Sequence, residues 1–435
     1  MDRAALSLEQ APPLAVPARF FLTAPLFGVA AAVLALWSGP ALLASRWTPA
    51  LLGATHLLTL GFVAMVMVGA LFQLLPVLGG ARWRRPYPFS VAVHLLLTAG
   101  TLLLAAGFSA GCTYCTQMAL PLLATGLTLF IGLALAALRG SPSQHASVKA
   151  MGYAVTGLGM TLLLGLYVGA SHGWTALPAT RAYTDLHLSW GLLGWVGLLG
   201  VGVAYQVVPM FQMTPEYPAA LRRWLVPGLF AALLLLSVAP VLPGQYAVTV
   251  LRTVAEVGLA AGFVLFAVWT LYVQARRRRR LPDITLWFWR LAMLCLLAGA
   301  LLWAARQLYG GAWGEVRYPL LLGMLLIPGF AVSIVSGMLY KILPFLVWLH
   351  LQTHAGSREA RRRIPNTKAI IPDRRARPQF VLHALALLLL TGAALWPYLL
   401  IWPAALTFAA ACGLLWLNLL YGLRTYRAVL RGFDA

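Results

Sequence analysis

Twelve apolar stretches, each long enough to cross a bilayer as a helix, leave this chain little choice of fold. They fall at roughly 19–44, 50–78, 89–109, 113–138, 147–171, 183–210, 220–241, 246–274, 284–308, 318–348, 379–398 and 401–428 of 435 residues. About 20 apolar residues suffice to span the hydrocarbon core as a helix. Only 10% of the residues are charged, where a soluble domain carries about 25%. The expected fold is therefore an all-α polytopic membrane protein, one membrane domain over residues 1–435, with the lipid bilayer as its first partner. The first 18 residues carry prolines and acids, and the first apolar run is too long for a signal h-region, so no cleavable signal peptide is expected.

A net charge of +22 raises the question of nucleic acid, and its distribution answers it. The loops after even-numbered spans, including Arg276–Arg280 and the basic loop 350–378, hold 20 Lys and Arg; those after odd-numbered spans hold only Arg46, Arg181, Arg306 and Arg317. This asymmetry is the positive-inside pattern, which orients a chain and touches anionic headgroups. It predicts both termini in the cytoplasm of a bacterial-type inner membrane, and no nucleic-acid partner.

Inside this pattern lies an internal repeat. The segments "GFVAMVMVGALFQLLP" (61–76), "GWVGLLGVGVAYQVVP" (194–209) and "GFAVSIVSGMLYKILP" (329–344) share a glycine, an aromatic, a second glycine eight on, an aromatic, a polar residue and a proline. Each holds a phenylalanine, tyrosine or tryptophan at both aromatic positions. The copies fall on spans 2, 6 and 10, four spans apart. Self-similarity at a fixed period is an architectural signal. It divides twelve spans into three parallel four-helix repeats (approximately 19–138, 147–274 and 284–428) with pseudo-threefold symmetry about the membrane normal. The paired glycines permit close helix contact, and the proline is expected to help end the helix. The polar residue before it is Gln73, Gln206 or Lys341. One reading makes it a helix-end device, with Lys341 snorkelling to the headgroups. The other makes the three residues the lining of pores or cofactor pockets.

Ionisable residues within spans are costly and so are functional candidates. His56 lies five residues before Gly61, in the outer third of span 2. Residues Ser189 and Met324 stand at the matching positions, and His187 lies seven before Gly194 near Asp185. Histidine and methionine both ligate haem and copper. His94 and His383, early in spans 3 and 11, form a second candidate pair. His145, His172 and His354 are expected in loops and His350 at the cytoplasmic edge. Arg252 and Glu256, four apart on span 8, share a face and should pair, either structurally or on a proton or ion path. Arg306 and Arg317 flank an outer loop and would suit haem propionates. Cys295 and Cys412 read as packing residues; Cys112 and Cys115 form an outer CxxC with three open readings, a disulfide, a redox pair or a metal contact. No phosphate loop, dinucleotide fingerprint or nucleophile elbow is present.

Twelve spans in three quartets, with a histidine in the outer third of span 2, resemble subunit I of the haem–copper oxidases. The stretch "HLLTLGFVAMVMVGALFQLLPVLGG" carries this resemblance, and "VVPMFQ" (207–212) resembles a motif of the NnrS family, which is associated with haem, copper and nitric oxide stress. The resemblance implies haem b, with His56 as an iron ligand and Met324 opposite, and copper as a further cofactor with His56 and His187 as metal residues. It implies respiratory oxidase subunits or a cytochrome as partners. The departures are specific. The oxidases have a span 6 histidine followed by tyrosine four later, a His-His pair near span 7 and two histidines on span 10. Here His187 is followed by Gly191, and the other two features are missing. Any enzyme activity is thus expected to be haem-dependent oxidoreduction, in respiration, nitric-oxide response or haem and copper handling, and not oxygen reduction coupled to proton pumping. The competing expectations are a cofactor-free transporter or channel, using Gln73, Gln206, Lys341, Arg252 and Glu256, and an oxidase assembly or partner subunit.

Overall fold

The computed structural model describes residues 8–81, 83–174, 181–241, 243–278, 281–310 and 314–434. Residues 279–280 of the basic run and 311–313 of the loop between Arg306 and Arg317 lie outside the described residues. The described residues are helical throughout, with no strand, and include twelve helices long and apolar enough to cross a membrane. Spans 1 to 6 are Ala15–Leu43, Pro49–Gly79, Pro86–Ser109, Thr113–Arg139, Ala146–Gly173 and Arg181–Gln212. Spans 7 to 12 are Ala219–Val238, Gln245–Ala275, Ile284–Tyr309, Arg317–His354, Asp373–Ala393 and Pro397–Phe433.

Hydropathy finds the apolar centre of each helix but not its ends. Span 10 runs to His354 and span 11 begins at Asp373, so the basic loop is shorter than its composition suggests. Charged residues are tolerated in helical turns at the water interface when they find partners there. Arg375, for example, stacks over the Tyr421 ring at 4.0 Å. What is left of the loop contains two short helices, Arg358–Arg363 and Thr367–Ile370, and buries Ile370 and Ile371.

The three spans that carry the repeat are the most enclosed. In spans 2 and 6, 72% of the most apolar stretch is buried, and in span 10, 67%; no other span exceeds 56%. The remaining spans pack around them. Span 4 lies along span 5, span 8 along span 9, and span 12 returns to lie along span 1.

Each central span changes its winding at the same place. The π-helical segments are Leu57–Ala64, Trp190–Gly197 and Leu325–Val332. Such winding makes up well under 1% of residues in proteins and gathers at functional sites. The three segments begin directly after His56, Ser189 and Met324, the positions that the sequence motif aligns.

The motif glycines explain how the central spans approach their neighbours. A Cβ at Gly61 would fall within 2.3 Å of Phe27, and one at Gly69 within 2.7 Å of Phe20, both on span 1. A Cβ at Gly337 would fall within 2.6 Å of Phe288 on span 9, and one at Gly202 within 2.3 Å of the Ala150 Cβ on span 5. In spans 2, 6 and 10 the glycine face receives the preceding helix. We expect Gly202→Val to cost about 1–3 kcal/mol by overpacking, measured as loss of thermal stability in detergent. A melting curve like that of the wild type would show that spans 5 and 6 do not meet there.

The motif prolines do not end their helices. Span 10 continues to His354, past Pro344. Proline frees the carbonyl four residues earlier, and membrane helices accept this where another donor is found. For Pro76 that carbonyl is Phe72 O, which accepts the Trp83 indole N–H at 2.9 Å.

Candidate functional site

His56, the residue before the π-helical segment of span 2, packs against span 6. There His56 and His187 face one another, ring centres 6.3 Å apart and planes inclined by 20°. His56 Nδ1 lies 2.8 Å from Leu52 O and His187 Nδ1 lies 3.0 Å from Thr161 O. A carbonyl only accepts, so both Nδ1 atoms carry hydrogen and both Nε2 atoms keep a lone pair. This is the arrangement by which a ligating histidine is held by its second nitrogen.

The surroundings place the pair. Arg46, in the loop before span 2, bonds Asp185, two residues before His187 in span 6, at 2.8 Å. This ion pair ties the outer ends of the two spans together. Gly165 on span 5 leaves the room that His187 fills; a Cβ there would meet the imidazole at 2.7 Å. The structure then adds two rings to the row. Phe108 lies 5.4 Å from His56, and His172 lies 5.6 Å from Phe108, edge on. His172 is not in a loop as expected: it belongs to the last turn of span 5, and its Nδ1 donates to Val168 O. A cleft of about 240 Å³, lined by Trp47, Leu52, Phe108, Thr116 and His172 among others, adjoins this end of the row.

Met324 packs into an apolar cluster with Leu42, Leu320 and Ala393, and the ring that faces His56 is His187. The pairing is not visible in the repeat, because His187 stands two residues before the position that matches His56. His94 and His383 each give Nε2 to a hydroxyl, Thr23 at 2.9 Å and Ser333 at 2.7 Å. Each also lies against an aromatic ring of the first helix in its quartet, Phe20 or Phe288. That makes them satisfied packing histidines.

The polar position of the motif has three different fates. Lys341 does not snorkel: its Nζ bonds Asp283 Oδ2 at 2.7 Å, with Asp283 6% and Lys341 18% exposed. Asp283 also caps span 9, accepting the Leu286 N–H. Gln73 is 3% exposed, and neither side-chain atom has a hydrogen-bond partner. Gln206 is half-buried.

Arg252 and Glu256 do pair, at 2.7 Å, but Arg252 is 62% exposed, so the pair lies on the outside of the bundle. Arg306 stacks over Tyr318 at 4.5 Å, and its Nη1 is buried without a partner. Arg317, the first residue of span 10, is exposed. Cys112 and Cys115 are joined as a disulfide, and Cys295 and Cys412 are free and buried.

Among the described residues no three His, Cys, Asp or Glu side chains gather as a metal cage. Two opposed imidazoles are a donor set of another kind. A metal–imidazole bond is about 2 Å, and a ring nitrogen lies roughly 1.1 Å from its ring centre. Two imidazoles on opposite sides of one metal therefore hold their ring centres about 6 Å apart. The His56–His187 ring-centre separation is of that length, with the two rings stacked nearly parallel. In haem the porphyrin supplies the other four positions, so the pair is a chemically sufficient axial set.

The chain matches no family model and no curated protein with which it was compared.

Proposed function

We propose that the protein binds haem b between His56 and His187 and acts in electron transfer within the membrane. The observation that carries this reading is the facing pair of imidazoles at 6.3 Å, both oriented by Nδ1–H bonds to backbone carbonyls. When bound there, the haem supplies one-electron chemistry. Haem held by two histidines would suit electron transfer and not oxygen reduction. His56 and His187 hold the iron, Leu52 O and Thr161 O fix their rings, and Arg46–Asp185 holds the span ends at the required separation. The buried, unpartnered Nη1 of Arg306 is a donor suited to a propionate; Arg317 is a second, exposed candidate. In this reading Met324 belongs to the apolar wall.

The wider architecture proposed is that of a divergent oxidase subunit I. Three parallel quartets sit about a pseudo-threefold axis, with both termini in the cytoplasm of a bacterial-type inner membrane. Support comes from the 133- and 135-residue spacings of the motif, the three matching π-helical segments, and the enclosure of spans 2, 6 and 10. A cytochrome or oxidase subunit is the partner class this role requires.

The test is an optical spectrum of protein purified in mild detergent from haem-replete cells. A Soret band with the sharp α-band of low-spin haem b is expected. Absence of a Soret band, before and after adding haem, overturns the proposal. Gly165→Val, which crowds His187, is expected to reduce haem retention while the protein still accumulates in the membrane.

A second reading is transport, and one observation favours it: Gln73 keeps two unpartnered amide atoms in a buried position between helices. It predicts that function survives His56→Ala and is lost in Gln73→Leu. The haem reading predicts the reverse.

A further inference from the structure

A second cleft lies far from the histidine pair, on the face that bears the basic loops. It is a cleft of about 840 Å³ between the N-terminal segment, the first turns of span 1, and the last turns of spans 10 and 12. Its walls are of two kinds. Leu14, Leu22, Leu349 and Leu423 supply apolar lining. Arg19 and Arg427 stand on the polar side, with His354 beside them. Arg19 is held in place: its Nε donates to Ala15 O at 3.0 Å, and its guanidinium lies over the Tyr87 ring at 4.6 Å. Among the described residues neither arginine has an ion-pair partner, and Glu9 is the one acid on the lining.

We propose that this cleft binds an anionic phospholipid, with the headgroup phosphate against Arg19 and Arg427 and the acyl chains along the leucine wall. Charge complementarity selects the headgroup. Two guanidinium groups, one of them pre-oriented, form charge-assisted bonds to phosphate oxygens, and basic pockets between spans on this face of a membrane are suited to such headgroups. The apolar wall selects an amphiphile. A soluble phosphate gains nothing from four leucines, whereas each buried methylene of an acyl chain contributes about 0.8 kcal/mol. The cleft volume lies in the range of ligand pockets, roughly 300–1,000 Å³, enough for a headgroup, glycerol and the first methylenes. This inference does not depend on haem.

The experiment is native mass spectrometry of the full chain extracted from its membrane, combined with melting curves in nanodiscs. The wild type is expected to retain phosphatidylglycerol or cardiolipin, and to melt higher in phosphatidylglycerol than in phosphatidylethanolamine nanodiscs. In Arg19→Gln/Arg427→Gln the retained anionic lipid falls roughly tenfold and the melting preference disappears. Arg361→Gln/Arg362→Gln, which removes two exposed charges of the basic loop, keeps both. Equal retention in the cleft variant, or equal loss in the loop variant, overturns the site. Protection of detergent-solubilised protein by glycerol 3-phosphate or inorganic phosphate alone, equal to that by the lipid, overturns the amphiphile. Should the double variant not accumulate, Arg427→Gln decides: this exposed side chain is expected to lower retention with the melting temperature in phosphatidylethanolamine unchanged, and retention like that of the wild type overturns the site.

Discussion

If the protein binds haem as proposed, His56→Ala is expected to abolish the haem absorption of the purified protein, and His187→Ala to leave either no haem or a high-spin spectrum with one imidazole. These are the largest functional effects expected, because each substitution removes half of an axial pair whose rings stand 6.3 Å apart. His94→Ala and His383→Ala serve as controls. Their Nε2 atoms are engaged with Thr23 and Ser333, so their loss is expected to lower stability and leave the spectrum unchanged. Met324→Leu separates the two axial assignments. If iron lies between His56 and His187 the spectrum does not move; a shift to high spin in Met324→Leu would return the second ligand to span 10. Exogenous imidazole restoring the low-spin spectrum of His187→Ala would show that the lost group acted as a ligand and not as packing.

The largest expected effect on stability lies at the other end of the bundle. Lys341→Met removes the cation that lies 2.7 Å from Asp283, whose side chain is 6% exposed. Removing one partner of a buried pair costs up to about 3–5 kcal/mol. The Asp283 carboxylate also holds the start of span 9 through the Leu286 N–H. Asp283→Asn therefore keeps the cap acceptor but strands the lysine. The double variant Lys341→Met/Asp283→Asn is expected to recover most of the loss, since it removes both charges and retains the cap. Melting temperatures of the four proteins in one detergent give the coupling directly. Additive single losses would show that the two groups do not interact. The haem spectrum is expected to be the same in all four, because this pair lies at the opposite ends of spans 9 and 10 from the histidines.

Much of this arrangement was legible before any coordinates. Twelve spans follow from run length alone, and their ends were displaced by only a few residues, most at the basic loop, where Arg375 and Tyr421 let helix continue into charged sequence. The motif alignment set His56, Ser189 and Met324 in register, and each of these residues immediately precedes a π-helical segment. The motif glycines pointed to close helix contact, and Phe20, Ala150 and Phe288 are the groups received. The Lys341–Asp283 pair, which replaces the headgroup-anchor reading, is not legible in sequence because the partner lies 58 residues earlier, at the start of the neighbouring helix. His172 was misread as a loop residue because polar neighbours hid the last turn of span 5.

What the sequence by itself determined is what depends on distance along a helix: the number of membrane-length spans and the register of the motif residues along them. Hydrophobicity and spacing act locally, so one dimension suffices to read them. The tertiary structure alone decided which residues meet across the bundle: His56 with His187 and not with Met324, Lys341 with Asp283, Arg46 with Asp185. Those meetings depend on the rotation of each helix about its axis. That rotation is set by which glycine receives which side chain, and by the widened π-helical turn that shifts the direction of every residue beyond it.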